Sequence, residues 1–132
     1  MNIKSSKELV DKANKSIKIL SAEEVKKAYD KNEATLIDVR DIRELWKEGT
    51  IKDAIHIPRG MLEFWLDPKS SYYQEKKIGE IKNIVLFCAL GFRSALATKA
   101  LKEMGFKNVA NAEGGFDALK SAGFEVITKE KK

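Results

Sequence analysis

Short apolar runs alternate with helical patterns along most of this chain, and that alternation constrains the fold more than any other feature. Segments with apolar residues at helical spacing separate the runs. Strands that alternate with helices predict a parallel sheet covered on both faces, with right-handed crossovers. We therefore predict an α/β fold with a single doubly wound, five-stranded parallel sheet. The five predicted strands are Ile17–Ile19, Leu36–Val39, Ala54–Pro58, Ile84–Phe87 and Val109–Ala110.

Helix boundaries are marked by local signals. Serine followed three residues later by glutamate, at Ser5 and again at Ser21, predicts two helix N-termini. The main helix is predicted over Ser94–Met104, with Gly105 ending it. Its expected buried face comprises Ala95, Ala97, Leu101 and Met104. We divide the chain into a helical extension (1–18), one domain (19–128) and a basic tail (129–132).

Composition excludes several classes of protein. The 132 residues suffice for one domain, and a single cysteine and a single histidine argue against a disulfide framework or a metal centre. We expect no metal and no other cofactor. No apolar stretch approaches a membrane span, and the polar N-terminus lacks a secretory signal, so a cytoplasmic protein without membrane contact is expected. The net charge of +5 comes without an arginine-rich helix, which argues against nucleic-acid binding.

The segment around the single cysteine is the most informative part of the sequence. A buried strand ends at Cys88, a tight loop containing Gly91 follows, and Arg93 and Ser94 open a helix. The loop N–H groups and the positive end of the helix dipole then point toward the sulfur. Such surroundings lower the pKa of a cysteine thiol. The pattern predicts a reactive thiolate, although a free cysteine is more often an inert core residue.

The residues after the cysteine differ in what they indicate. A cation in the first turn of a helix is electrostatically unfavourable, so Arg93 indicates an anionic ligand. Gly91 and Ser94 fit a turn glycine and an N-cap serine as well as they fit a binding loop.

Three blocks of the sequence resemble the rhodanese-type sulfurtransferase family. They lie within Leu36–Pro58, Cys88–Ser94 and Gly114–Val126, and together they cover nearly the whole chain. Two departures are visible: the last block lacks a common tryptophan, and Pro58–Met61 replaces the usual Pro-Gly-Ala.

The resemblance implies a fold, a reaction and a set of site residues. It implies a rhodanese-like domain in which the thiolate takes a sulfur atom from a small anionic donor such as thiosulfate. The resulting persulfide passes the sulfur to a thiol or protein acceptor, or to cyanide in an assay. Cys88 and Arg93 would be catalytic, with Arg93 orienting the donor. The persulfide-binding loop would comprise Ala89, Leu90, Gly91, Phe92 and Ser94.

Two other functions stay open. The active-site loops of cysteine phosphatases and arsenate reductases resemble the pattern Cys-x5-Arg. Here only four residues separate Cys88 from Arg93. The shorter loop makes a smaller cradle, which suits one sulfur atom better than a tetrahedral oxyanion. The second alternative is a partner-binding module that keeps the fold without the chemistry.

Several further residues are expected near the site in structural roles. Asp38 and Arg40 should form buried ion pairs, with Glu44 or another carboxylate as the partner of Arg40. His56 is expected to be a hydrogen-bonded structural histidine. Gly114 and Gly115 are expected in a backbone turn that packs near the site.

The segment from Arg59 to Tyr73 concentrates aromatic and basic residues on a predicted loop. We expect it to line the mouth of the cysteine pocket, with Arg59 and Trp65 at the rim.

Overall fold

The computed structural model describes residues 2–78 and 83–131. Met1 and Lys132, which begin the predicted helical extension and end the predicted basic tail, lie outside these residues. The elements, in chain order, are α1 (Ser6–Asn14), β1 (Lys18–Leu20), α2 (Ala22–Asp30), β2 (Ala34–Asp38), α3 (Ile42–Glu48), β3 (Thr50–Ile51), β4 (Ile55–His56), a 3-10 turn (Arg59–Met61), α4 (Leu62–Leu66), α5 (Glu75–Ile78), β5 (Asn83–Phe87), α6 (Phe92–Met104), β6 (Val109–Ala112), α7 (Gly115–Ser121) and β7 (Val126–Ile127).

Five of the strands form the central sheet, in the order β1-β6-β5-β2-β4, and every neighbouring pair is parallel. β5 lies in the middle, as its apolar sequence predicts. Asp38 pairs with Phe87 in the register of β2 and β5, so both strands end at the same edge of the sheet. The predicted α/β fold class is confirmed.

Both faces of the sheet are buried, and β5 contributes alternately to each. Ile84 and Leu86 enter a core that includes residues of α4 and α6. Val85 and Phe87 enter a second core with residues of α2 and α7. Because successive side chains of a strand point to opposite faces, an apolar strand of this kind needs cover on both sides.

A second, two-stranded sheet was not predicted. β3 pairs with β7 in antiparallel fashion, with Thr50 opposite Ile127. The sequence around Val126 and Ile127 is compatible with either strand or coil, because a two-residue strand carries too little periodicity to be recognised. Gly49, just before β3, lets the chain come close to β7. Its φ is +81°, and a Cβ there would lie 2.6 Å from the Ile127 carbonyl oxygen.

The predicted helix caps are largely confirmed. The Ser5 side chain accepts a hydrogen bond from the Glu8 amide, and Ser21 forms a complete capping box with Glu24. α1 packs against α6, with Val10, Ala13 and Ala95 in contact. The N-terminal extension therefore belongs to the helix layer on that face.

Two expectations for α6 are wrong. The helix begins at Phe92, and its N-cap is Gly91 in the left-handed conformation, so Ser94 lies inside the first turn and is not the cap. Met104 is 41% exposed because it lies in the last turn, beyond the part that is buried at Leu101.

No helix within the described ranges is both long and apolar enough to cross a bilayer.

Candidate active site

The sulfur of Cys88 lies at the carboxyl end of the central strand, where two backbone N–H donors and one hydroxyl oxygen approach it. Cys88 follows β5 directly and is 1% exposed. The backbone N–H of Gly91 lies 3.1 Å from Sγ, and the N–H of Ser94 lies 3.4 Å from it. The Ser94 hydroxyl is 3.3 Å away. The loop therefore forms a small cradle that favours negative charge on sulfur.

A buried asparagine braces this cradle from β6. Asn111 accepts a hydrogen bond of 2.6 Å from the Ser94 hydroxyl and donates one of 3.1 Å to the Gly91 carbonyl. Both residues that approach Sγ are thus held by one side chain. Sequence reasoning missed Asn111, although an asparagine within the apolar strand Val109–Ala112 was a usable signal, because buried amides need partners.

The paired glycines let α7 approach the cysteine loop. Gly114 and Gly115 have φ values of +76° and +61°. A Cβ on Gly115 would lie 2.5 Å from the Cys88 carbonyl oxygen, so only glycine fits. The Phe116 N–H donates to that same carbonyl at 2.7 Å. The expected turn near the site is present, and it fixes the backbone of Cys88.

Arg93 is held by Glu44, a residue of α3. The two terminal guanidinium nitrogens donate to the two carboxylate oxygens at 2.6 and 3.0 Å. Glu44 also accepts from the Asp41 amide at 3.2 Å, which completes a capping box. The hydrogen bond from Arg93 lowers the pKa of Glu44. The pKa of Arg93 is raised, mainly by Glu44 and to a lesser extent by the nearby Cys88.

Of the two possibilities left open for Arg40, Glu44 or another carboxylate, the structure shows the second. Glu44 was a proposed partner of Arg40, but Arg40 pairs with Asp38 through Nε at 3.0 Å and Nη2 at 2.8 Å. Asp38 lies two residues away at the end of the same strand, so it reaches Arg40 inside the core. Glu44 points from α3 toward the cysteine loop and meets Arg93.

The Asp38–Arg40 ion pair is expected from the sequence and is fully buried. Thr50 donates to Asp38 at 2.8 Å, and Arg40 donates to the Gly49 carbonyl at 2.8 Å. His56 Nε2 lies 2.7 Å from the Arg40 carbonyl, which can only accept, so Nε2 carries the proton. These contacts tie β2, β3 and β4 together beside the site.

The surface of the cysteine loop is apolar. Leu90 is 55% exposed and Phe92 is 61% exposed, on either side of Gly91. Ala89 is half-buried. The four residues between Cys88 and Arg93 therefore carry no charge and expose two large apolar side chains.

The predicted pocket rim stays a prediction. Arg59 lies in the 3-10 turn and pairs with Glu63 at 2.8 Å. Trp65 packs against the core cluster that contains Cys88, and the Lys77 ammonium lies 4.6 Å from its ring centroid. Among residues 2–78 and 83–131, no group of three or more His, Cys, Asp or Glu side chains is arranged to hold a metal ion.

Comparison with known proteins identifies the family to which this chain belongs. The family model described as rhodanese-like domain matches residues 21–122. A curated relative, the tRNA uridine(34) hydroxylase of Photorhabdus laumondii, is 31% identical over 102 residues, which cover 77% of this chain and 28% of that protein. The chain spans between 28% and 49% of the length of the first curated relatives it matches.

Solved structures match over more of their length. A Rhodopseudomonas palustris protein, described as of unknown function and a possible tyrosine phosphatase, has a TM-score of 0.87 and 38% identity, covering 96% of this chain and 97% of that one. The homodimeric polysulfide-sulfur transferase of Wolinella succinogenes has a TM-score of 0.72 and 36% identity, covering 93% of this chain and 87% of that one.

Proposed function

Since the chain belongs to the rhodanese-like domain family, we propose that it is a sulfurtransferase that carries sulfane sulfur as a persulfide on Cys88. The observation that carries the proposal is the cradle around Sγ, in which the Gly91 and Ser94 amides and the Ser94 hydroxyl approach one sulfur atom. Two amide donors aimed at one sulfur favour negative charge on it, and a thiolate is the nucleophilic form of cysteine.

The first half-reaction loads the cysteine. The Cys88 thiolate attacks the outer sulfur of the donor, an S–S bond forms, and the donor's own bond to that sulfur breaks. The electron pair leaves with the remainder of the donor, which is sulfite when the donor is thiosulfate. Because the donors of the loop are fixed before the reaction, they stabilise the anionic persulfide without reorganisation.

The second half-reaction transfers the sulfur from Cys88 to the acceptor. An acceptor nucleophile, such as a thiol, a protein or cyanide in an assay, attacks the outer sulfur of the persulfide. The S–S bond breaks and its electron pair returns to Cys88 as thiolate. Two half-reactions through a covalent intermediate predict ping-pong kinetics. The polysulfide-sulfur transferase of similar structure supports sulfane sulfur as the cargo.

Intact-mass measurement tests the proposal. Incubation with a sulfane-sulfur donor should add about 32 Da, one sulfur atom bound at the thiolate. Cyanide should remove that mass and produce thiocyanate. Cys88→Ser should show neither event. If the unaltered chain gains no sulfur from thiosulfate, polysulfide or an alkyl persulfide, the proposal is wrong.

A phosphatase is the second candidate, because one protein of similar structure is described as a possible tyrosine phosphatase. The loop of this chain argues against it, since four residues separate Cys88 from Arg93 and both terminal nitrogens of Arg93 are bound to Glu44. Hydrolysis of para-nitrophenyl phosphate by the unaltered chain, lost in Cys88→Ser, would favour the phosphatase.

A further inference from the structure

All four arginines of this chain are already paired with carboxylates. Arg43 pairs with Asp41 at 2.9 Å and Arg59 with Glu63 at 2.8 Å. The other two pairs are Arg40 with Asp38 and Arg93 with Glu44. The anion that Arg93 was expected to meet is therefore supplied by the chain itself. Each arginine therefore shares its positive charge with a carboxylate of this chain.

The pairing of Arg93 with Glu44 neutralises its charge and occupies the end-on face of its guanidinium group. Its two terminal nitrogens both donate to the Glu44 carboxylate, which is the geometry a sulfonate would otherwise occupy. A doubly charged donor that approaches Cys88 meets the Arg93–Glu44 ion pair, whose net charge is zero. The donor gains little attraction from Arg93 as long as Glu44 is ionised.

The uncharged part of the loop favours another kind of donor. Leu90 and Phe92 expose large apolar side chains directly beside the residues that bind Sγ. A donor with an apolar body buries surface against them and needs no cation for binding.

We propose that Glu44, acting through Arg93, sets the donor specificity of Cys88, so that the site takes sulfur from persulfides with an apolar body and disfavours doubly charged donors such as thiosulfate. The inference rests on the proposed function. In the favoured step the thiolate attacks the outer sulfur of R–S–SH, a new S–S bond forms, and the original S–S bond breaks. The products are the Cys88 persulfide and the thiolate R–S⁻, so charge and atoms balance.

Glu44→Gln isolates the charge of this residue. Glutamine can still accept the Asp41 amide hydrogen bond that glutamate accepts at 3.2 Å, so the helix cap is retained. The matched control is Asp30→Asn, which also removes one negative charge from an ion pair, at 2.7 Å with Lys26. Asp30 ends α2 ahead of β2, so it lies toward the opposite edge of the sheet from Cys88.

Three donors make the comparison: thiosulfate, benzyl persulfide, and benzyl persulfide bearing a para-carboxylate. In the unaltered chain we expect the highest kcat/KM for benzyl persulfide. Glu44→Gln should lower the KM for thiosulfate and for the carboxylated donor by about three- to tenfold, the range of one partly screened charge interaction. The KM for benzyl persulfide should change less than about twofold.

Several results would overturn the inference while leaving the proposed function intact. These are an unchanged KM for thiosulfate in Glu44→Gln, an equal effect in Asp30→Asn, or a preference for the carboxylated donor in the unaltered chain. Sulfur transfer from none of the three donors would instead overturn the proposed function. A measurement without substitution repeats the test: a steep rise of the thiosulfate KM with ionic strength in the unaltered chain would mean that Arg93 attracts the dianion directly.

Discussion

Two arginine–carboxylate pairs lie beside the cysteine loop, and they differ in burial. Arg40 and Asp38 are 0% exposed, whereas Arg93 and Glu44 are 43% and 28% exposed. The buried pair lies at the end of β2 and contacts Gly49 and Thr50 at the start of β3, whereas the exposed pair joins α3 to the first turn of α6. The same chemistry therefore serves the scaffold in one place and the site in the other.

The surroundings explain the difference. Arg40 lies with its guanidinium carbon 4.1 Å from the Phe116 ring centroid, and the Asp38 carboxylate also accepts from Thr50. Arg40 Nη1 is buried and has no hydrogen-bond partner among the described residues. Breaking a buried pair leaves an uncompensated charge, but breaking an exposed pair lets water solvate both groups.

The largest expected effect comes from breaking the buried pair. Asp38→Asn should lower the free energy of unfolding by about 3–5 kcal/mol, because the Arg40 cation stays buried without its anion. Urea denaturation followed by circular dichroism measures this. Glu63→Gln, which breaks the Arg59 pair, is the control and should cost less than about 1 kcal/mol. Similar losses in the two variants would contradict the distinction.

An intermediate effect, on activity and not on folding, is expected from breaking the exposed pair at Arg93. Arg93→Gln should lower kcat/KM for benzyl persulfide by about tenfold, because the Glu44 carboxylate is left uncompensated near the proposed Cys88 persulfide. Stability should change by less than about 1 kcal/mol.

The controls for that effect use the same charge change. Arg43→Gln, which breaks an exposed pair with Asp41, should leave kcat/KM within about twofold. Adding Glu44→Gln to Arg93→Gln should restore most of the activity, since the double variant is neutral like the original pair. Full activity in Arg93→Gln alone would show that the pair does not influence the sulfur.

The smallest expected effect is the pH dependence of the exposed pair. Because Arg93 lowers the pKa of Glu44 below its usual value of 4.5, the pair stabilises the fold above that value. The contribution is lost as the pH falls through the lowered pKa. The difference in unfolding free energy between the unaltered chain and Glu44→Gln should therefore be at most about 1 kcal/mol at pH 7 and should vanish once the pH is below the lowered pKa of Glu44. Denaturation at several pH values measures it, and a difference that grows toward acid would contradict the assignment.

Local patterns were enough to predict much of the fold and the centre of the candidate site. The capping signals at Ser5 and Ser21, the five sheet strands and the loop after Cys88 are all properties of residues close together in the sequence. The paired glycines also signalled a special turn, because positive φ is a property of the residue itself.

Contacts between distant residues were not predictable in the same way. Glu44 and Arg93 are 49 residues apart, and Asn111 lies 17 residues beyond Ser94. The sequence supplied several carboxylates that could have reached Arg93, and none of them was marked by spacing.

The amino-acid sequence by itself therefore determined the alternation of strands and helices, the position of Cys88 at a strand end, and the donors of its loop, because backbone conformation depends mainly on near neighbours. The tertiary structure decided which carboxylate meets which arginine. That choice depends on how α3 and β2 end beside the cysteine loop, since side chains only a few ångströms long bind whatever the packed elements bring within reach.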